Sequence, residues 1–137
     1  EFSDIGVPFF IGQGQVDPGR HGGIQSLRAS RYNLLGPYND DASRGSATST
    51  RHVRLEHRHF GEFKVPSLRN LARTAPYMHN GSLRTLREVL RHYSELDENR
   101  LHADGERILV PLKLTPEETE DLLAFLDSLN ETTPGGR

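Results

Sequence analysis

Cysteine and tryptophan are absent from the 137 residues, methionine occurs once, and hydrophobic residues make up only 34% of the chain. Without cysteine there is no disulfide framework, zinc ribbon or iron–sulfur cluster, and no covalent c-type haem attachment through C-x-x-C-H within these residues. Long apolar runs are missing too. A membrane-spanning helix needs about 18 apolar residues in succession, and no stretch comes near that: Val7–Ile11 is interrupted by Pro8, and Leu122–Leu126 ends after five residues. No membrane insertion is expected. Neither sign of charge dominates, with 17 basic residues against 19 acidic ones and a formal net charge of −2. A chain of this length is one domain or a piece of one. It opens on Glu1, with neither an initiator Met nor a charged-then-apolar leader, and so reads as a processed or excised product.

What is present is unevenly distributed. Nine of the 13 glycines precede residue 62, and no helical period lasts more than a turn there, so residues 1–62 are expected to be a loop-rich segment. Asn39–Thr50, with no large apolar residue, resembles an exposed flexible insert. Arg51–Phe60 alternates briefly around Val53 and Leu55, which suits a short strand or hairpin arm.

Residues 63–137 are better specified. Pro66 is expected to open a short helix running to Ala72. A second helix follows Thr85, with Glu88 as its capping-box partner and Leu86, Val89, Leu90 and Tyr93 on one face. The third starts with Thr115 as N-cap and Pro116 at the first helical position, and carries Leu122, Leu123, Phe125, Leu126 and Leu129. The class is therefore mostly α with long ordered loops and a short β-hairpin. Each helix offers four or five large apolar groups, at roughly 1.5–3 kcal/mol apiece on full burial. Ordering the whole chain costs more than that. A cofactor or a second domain is expected to complete the core.

Several chemistries are poorly supported. His57 and His59 could chelate a metal from one strand face, but Arg54 and Arg58 would repel the cation and no third ligand is evident. Residues 51–92 hold nine basic and three acidic residues, a balance open to nucleic acid, an acidic protein or haem propionates. No helix-turn-helix spacing or aromatic stacking pattern favours nucleic acid. Gly12-Gln13-Gly14 lacks the third glycine of a phosphate loop, and no Gly-x-Ser-x-Gly elbow exists.

The run Phe63-Lys64-Val65-Pro66-Ser67-Leu68-Arg69-Asn70, then Thr74-Ala75-Pro76-Tyr77-Met78-His79-Asn80-Gly81-Ser82, then Thr85–Tyr93 and the closing Leu122–Leu129 pattern, is distinctive. It resembles the C-terminal haem domain of the bacterial di-haem cytochrome c peroxidase and MauG family. Phe2-Ser3-Asp4, Ile5–Pro8 and Asp17-Pro18-Gly19-Arg20 resemble the stretch that follows the second haem-attachment motif in that family, so the likeness covers nearly the whole chain.

The resemblance implies one cytochrome-c-like domain over residues 1–137, holding haem c beside an N-terminal haem domain in a periplasmic protein. The family places C-x-x-C-H a few residues before the position of Glu1. Either the chain was cut there or it descends from a haem protein and has lost the group. The implied activity is hydrogen-peroxide-dependent oxidation of a protein or a small electron donor. This domain would transfer electrons or hold a high-valent haem, and the peroxide chemistry would lie in the other half. The alternative is a haem-free binding or structural module.

In the family the axial iron ligand lies fourteen residues beyond the His of Pro-Tyr-x-His, here Tyr93, where the peroxidase branch has Met and the MauG-like branch Tyr. A phenolic oxygen favours oxidised iron, whereas a thioether raises the potential. Read without the motif, Tyr93 is an ordinary core tyrosine, and Met78, the obvious thioether, is a packing residue. Phe63, Pro66, Leu68, Met78, His79 and Leu90 are the implied haem contacts, with Lys64 and Arg69 toward the propionates. The backbone carbonyls of Thr74 and Pro76 would bind calcium together with a side chain from the other half.

Overall fold

A computed structural model describes residues 2–7, 16–101 and 108–131. Pro8, the Gly12–Gln13–Gly14 segment, His102 and Arg137 lie outside them. Its helices are α1 (Arg20–Ala29), α2 (Thr48–Arg51), α3 (Leu86–Ser94) and α4 (Pro116–Ser128). The strands β1 (Phe2–Asp4) and β2 (Glu62–Lys64) form one antiparallel sheet.

The two best-encoded helices form as their sequences dictate. Thr85 accepts the Glu88 amide at 3.2 Å, and the Glu88 carboxylate accepts the Thr85 amide at 2.9 Å. Thr115 and Glu118 repeat this box at α4, with Pro116 in the first turn. Each box satisfies amides that the helix itself leaves without partners. Leu90 and Leu126 are buried where α3 and α4 pack together. Thr115→Ala is expected to cost about 1 kcal/mol, measured as a lower urea midpoint with an unchanged slope.

Asn70 and the chain beyond α3 brace this pair. The Asn70 amide donates to Leu129 at 3.2 Å, and its side-chain oxygen accepts the Glu131 amide at 2.7 Å. After α3, the amides of Leu112 and Lys113 donate to the carbonyls of Tyr93 and Ser94 at 3.0 and 3.1 Å.

The expected helix from Pro66 to Ala72 does not form. Asn70 adopts a left-handed conformation with φ 60°, and only a single 3-10 turn, Leu71–Arg73, follows it. The contacts of Asn70 with the end of α4 outweigh local helix propensity there.

The glycine-rich N-terminal half also departs from expectation, because it contains the ten-residue helix α1. Its start is organised by tertiary contacts. Asp17 accepts the Gly19 amide at 2.9 Å, the Gly61 amide donates to Pro18 at 3.2 Å, and Arg20 pairs with the buried Glu62 at 2.8 Å. Residues 51–60 are not a hairpin arm. They finish α2 and form a 3-10 turn, His57–His59, capped reciprocally by Glu56 and His59. The strands are instead Phe2–Asp4 and Glu62–Lys64, in the register Phe2 to Lys64, Ser3 to Phe63 and Asp4 to Glu62. The Asn39–Thr50 segment is knotted by Asp41, which accepts the amides of Ser43 and Ser46, and Ala47 is fully buried.

Among the described residues the buried hydrophobic members of the interior are Val7, Ile24, Ala47, Leu90, Leu96 and Leu126. Val65, Leu68, Ile108, Val110, Leu112 and Phe125 lie between 46% and 59% exposed. They lie in the turn after β2, in the segment leading into α4, and, for Phe125, on α4 itself.

Candidate functional site

The turn from Thr74 to Leu83 is held rigid by its own backbone. Tyr77 and Leu83 exchange hydrogen bonds of 2.7 and 3.4 Å, the Tyr77 hydroxyl donates to the Leu71 carbonyl at 2.9 Å, and the Ala75–Pro76 bond is cis. At its apex Met78 has φ 68°. That left-handed conformation costs a residue with a Cβ about 1–2 kcal/mol, which the surrounding hydrogen bonds must offset. The Met78 side chain is half-buried.

Next to it, His79 stacks on Phe63 of β2 with ring centroids 3.7 Å apart and planes within 9°. Both ring nitrogens are buried and, among the described residues, have no hydrogen-bond partner. Burial pushes the His79 pKa down, partly opposed by Asp17. A buried polar atom without a partner costs about 1–3 kcal/mol, and is therefore a place where an incoming polar group gains affinity.

Tyr93 occupies the last turn of α3, one turn from the buried Leu90. Its ring meets His92 edge-on at 5.3 Å, and His92 Nε2 is 2.7 Å from the Ile5 carbonyl oxygen, which ties α3 to the N-terminal segment. Burial raises the phenol pKa above its ordinary value. Among the described residues the Tyr93 hydroxyl makes no hydrogen bond, so its oxygen is free to act as a hard donor.

The other expected site residues are more dispersed. Pro66, Leu68 and Arg69 are exposed in the turn after β2, Lys64 is exposed at the end of β2, and Thr74 and Pro76 are exposed in the rigid turn. The pairs actually brought together are Phe63 with His79 and, along α3, Leu90 with Tyr93. His57 and His59 do not share a strand face, and among the described residues no cluster of three His, Cys, Asp or Glu side chains is suited to a metal.

Sequence reasoning missed a cleft of about 790 Å³ between α1, the 52–59 turn and β2, lined by Ile24, Leu27, His59, Glu62 and Phe63 among others. Its signal was Asp-Pro-Gly-Arg, a turn that delivers Arg20 to Glu62. His59 is 3% exposed, and its Nδ1 accepts the Glu56 amide at 3.2 Å, which leaves Nε2 to carry the proton of the neutral ring. Burial lowers its pKa, assisted by Arg20.

With the folded-state pKa of both His59 and His79 depressed, the unfolded chain takes up protons first as the pH falls below about 6.5. The stability these neutral rings contribute is present above that pH and is lost below it. The urea midpoint is expected to be lower at pH 5.5 than at pH 7.5, and equal midpoints would contradict the burial of the two rings.

No family model matches the chain. Individual relatives do. Cytochrome-c peroxidase IdrP1 of Denitromonas iodatirespirans is 45% identical over 75 residues, 54% of this chain and 19% of its own. Methylamine utilization protein MauG of Methylophilus methylotrophus is 34% identical over 98 residues, 70% of this chain and 27% of its own. Cytochrome c551 peroxidase of Nitrosomonas europaea is 30% identical over 132 residues, 94% of this chain and 39% of its own. The chain belongs to the di-haem cytochrome c peroxidase and MauG family.

It spans between about a fifth and two fifths of the length of these relatives. Those relatives are named as cytochrome c peroxidases and MauG proteins, and the 137 residues here contain no cysteine to attach a haem c covalently. The residues present fit such a group: among the described residues His79 has two buried nitrogens without partners, Tyr93 has an unused hydroxyl, and apolar surface is exposed in the turn after β2, in the segment leading into α4 and on α4 itself. Among the described residues no helix is long and apolar enough to cross a membrane.

Proposed function

We propose that the chain is the C-terminal haem c domain of a periplasmic di-haem peroxidase or MauG-like enzyme, the partner of an N-terminal haem domain. The observation that carries this reading is Tyr93, half-buried on α3 fourteen residues beyond His79, with a hydroxyl that no described residue uses. Tyr93 would be a ligand to the iron through its phenolic oxygen, its proton passing to solvent. Phe63, Pro66, Leu68, Met78 and Leu90 would contact the apolar ring, and His79, Lys64 and Arg69 would face the propionates. Guanidinium and ammonium groups suit carboxylates, and an imidazole N–H adds a directed bond. Thr74 and Pro76 would offer carbonyl oxygens to calcium between the two halves, a donor type suited to that cation.

When bound, the haem iron supplies one-electron redox chemistry. The chain's own share would be to supply, from Tyr93, an oxygen donor that favours oxidised iron, and from the segments around β2, the 74–83 turn and α3 the residues that would hold the group. The intact enzyme would use hydrogen peroxide, in its other half, to oxidise a protein or a small electron donor. Titration of the chain with added haem, read in the Soret region, tests this without the attachment motif that these residues lack. A saturable, shifted Soret band is expected; without one, the chain is a haem-free binding module that has kept the fold.

A further inference from the structure

The end of α1, the turn through residues 30–36 and the end of α2 enclose a second cleft, of about 420 Å³. Arg28, Arg31 and Arg51 line it together with Ser30, Asn33 and Thr50, and no carboxylate does. Neutral groups position two of these cations. Arg28 donates to the Val53 carbonyl at 2.8 Å, and Arg31 lies 5.1 Å from the centroid of the Tyr38 ring. Arg51 makes no hydrogen bond or ion pair among the described residues. The three positive charges are thus oriented without being neutralised.

Nearby acids do not relieve this. Between Arg20 and Arg54 the chain has six arginines and only two acids, Asp40 and Asp41. Asp41 spends its oxygens on Ser43 and Ser46, at 3.0 and 2.8 Å to the amides and 2.6 Å to the Ser43 hydroxyl. Asp40 does not line the cleft. This face is cationic in a chain whose net charge is −2.

Beside the cleft, Tyr32 and Tyr38 stack at 5.0 Å with planes 21° apart while remaining 74% and 56% exposed. Large exposed aromatics next to unneutralised arginines are the composition of protein-binding hot spots. Guanidinium groups match carboxylates in a planar, two-point geometry.

We propose that this cleft docks an acidic segment of a partner protein. Its carboxylates pair with Arg28, Arg31 and Arg51, and the Tyr32–Tyr38 stack forms the adjoining aromatic anchor. That the partner is a redox protein rests on the function proposed above; the docking itself needs no haem.

The test uses fluorescein-labelled octaglutamate titrated with the full chain at low ionic strength and read by anisotropy. Saturable binding that weakens steeply with added salt is expected. Arg31→Gln/Arg51→Gln, which removes two charges and leaves the Arg28–Val53 bond intact, should weaken binding by about tenfold. Arg84→Gln/Arg100→Gln removes the same charge elsewhere and should change it by less than about twofold. Circular dichroism checks folding; if the cleft double variant unfolds, Arg51→Gln alone, which breaks no internal bond, carries the test with an expected weakening of about threefold. No binding, or equal weakening by both double variants, overturns the proposal. So does displacement by a single-stranded oligonucleotide at lower concentration than by unlabelled octaglutamate. Adding haem to the same sample and reading the Soret band separates this result from the haem reading, because either can fail alone.

Discussion

Gly19→Ala is expected to destabilise the chain by about 3 kcal/mol, the sum of strain at a residue restricted to glycine and a backbone collision. Gly19 has φ 60° and ψ −134°, a region that side chains rarely enter. A Cβ there would also run into the carbonyl oxygen of Glu62, a backbone atom that cannot swing aside. Relief would require α1 to lift off β2, loosening the Arg20 pair with Glu62, whose side chain is only 10% exposed. A buried carboxylate parted from its cation is costly. The same change four residues later has the opposite sign. A Cβ at Gly23 meets nothing within 4 Å, in the interior of a helix, so Gly23→Ala is expected to stabilise by about 0.5–1 kcal/mol. Urea unfolding of the two variants decides the matter. Similar losses in both would show that α1 is not anchored on β2 as described.

Tyr93→Phe is expected to act on spectroscopy far more than on stability. The hydroxyl has no partner among the described residues, so its loss leaves no internal donor or acceptor stranded. In the chain without haem, burial holds the Tyr93 proton beyond the ordinary phenol range. An alkaline titration of tyrosinate absorbance should therefore show a late component that Tyr93→Phe removes. The sign of the linkage follows: the unfolded chain releases this proton from about pH 10 and the folded chain later, so the stability associated with the neutral phenol declines as pH rises through that window. In the haem-loaded protein the same substitution should change the ligand-sensitive absorption bands. Unchanged bands would remove Tyr93 as the iron ligand while leaving the titration result standing.

How much could be read from the chain depended on the range of the signals. The boxes Thr85–Glu88 and Thr115–Glu118 lie within four residues each, and the helices they start formed as expected. The Pro66 helix failed for the opposite reason: a start signal was present, but Asn70 is bound to the end of α4, about sixty residues away. The site divides similarly. Tyr93 and Leu90 fall one turn apart because the helical repeat places them there. The stack of Phe63 on His79 joins a strand to a turn, and no local pattern encodes it.

The sequence by itself determined α3, α4, the mostly helical class and the motif that marks the family, because caps, periodicity and turn residues act through neighbours in the chain. Tertiary structure decided the rest. A helix in a glycine-rich stretch, the pairing of residues 2–4 with 62–64, a histidine with both nitrogens unpartnered among the described residues and three unneutralised arginines around one cleft depend on residues far apart in sequence. Their contacts outweigh local propensity, and only the folded chain brings them together.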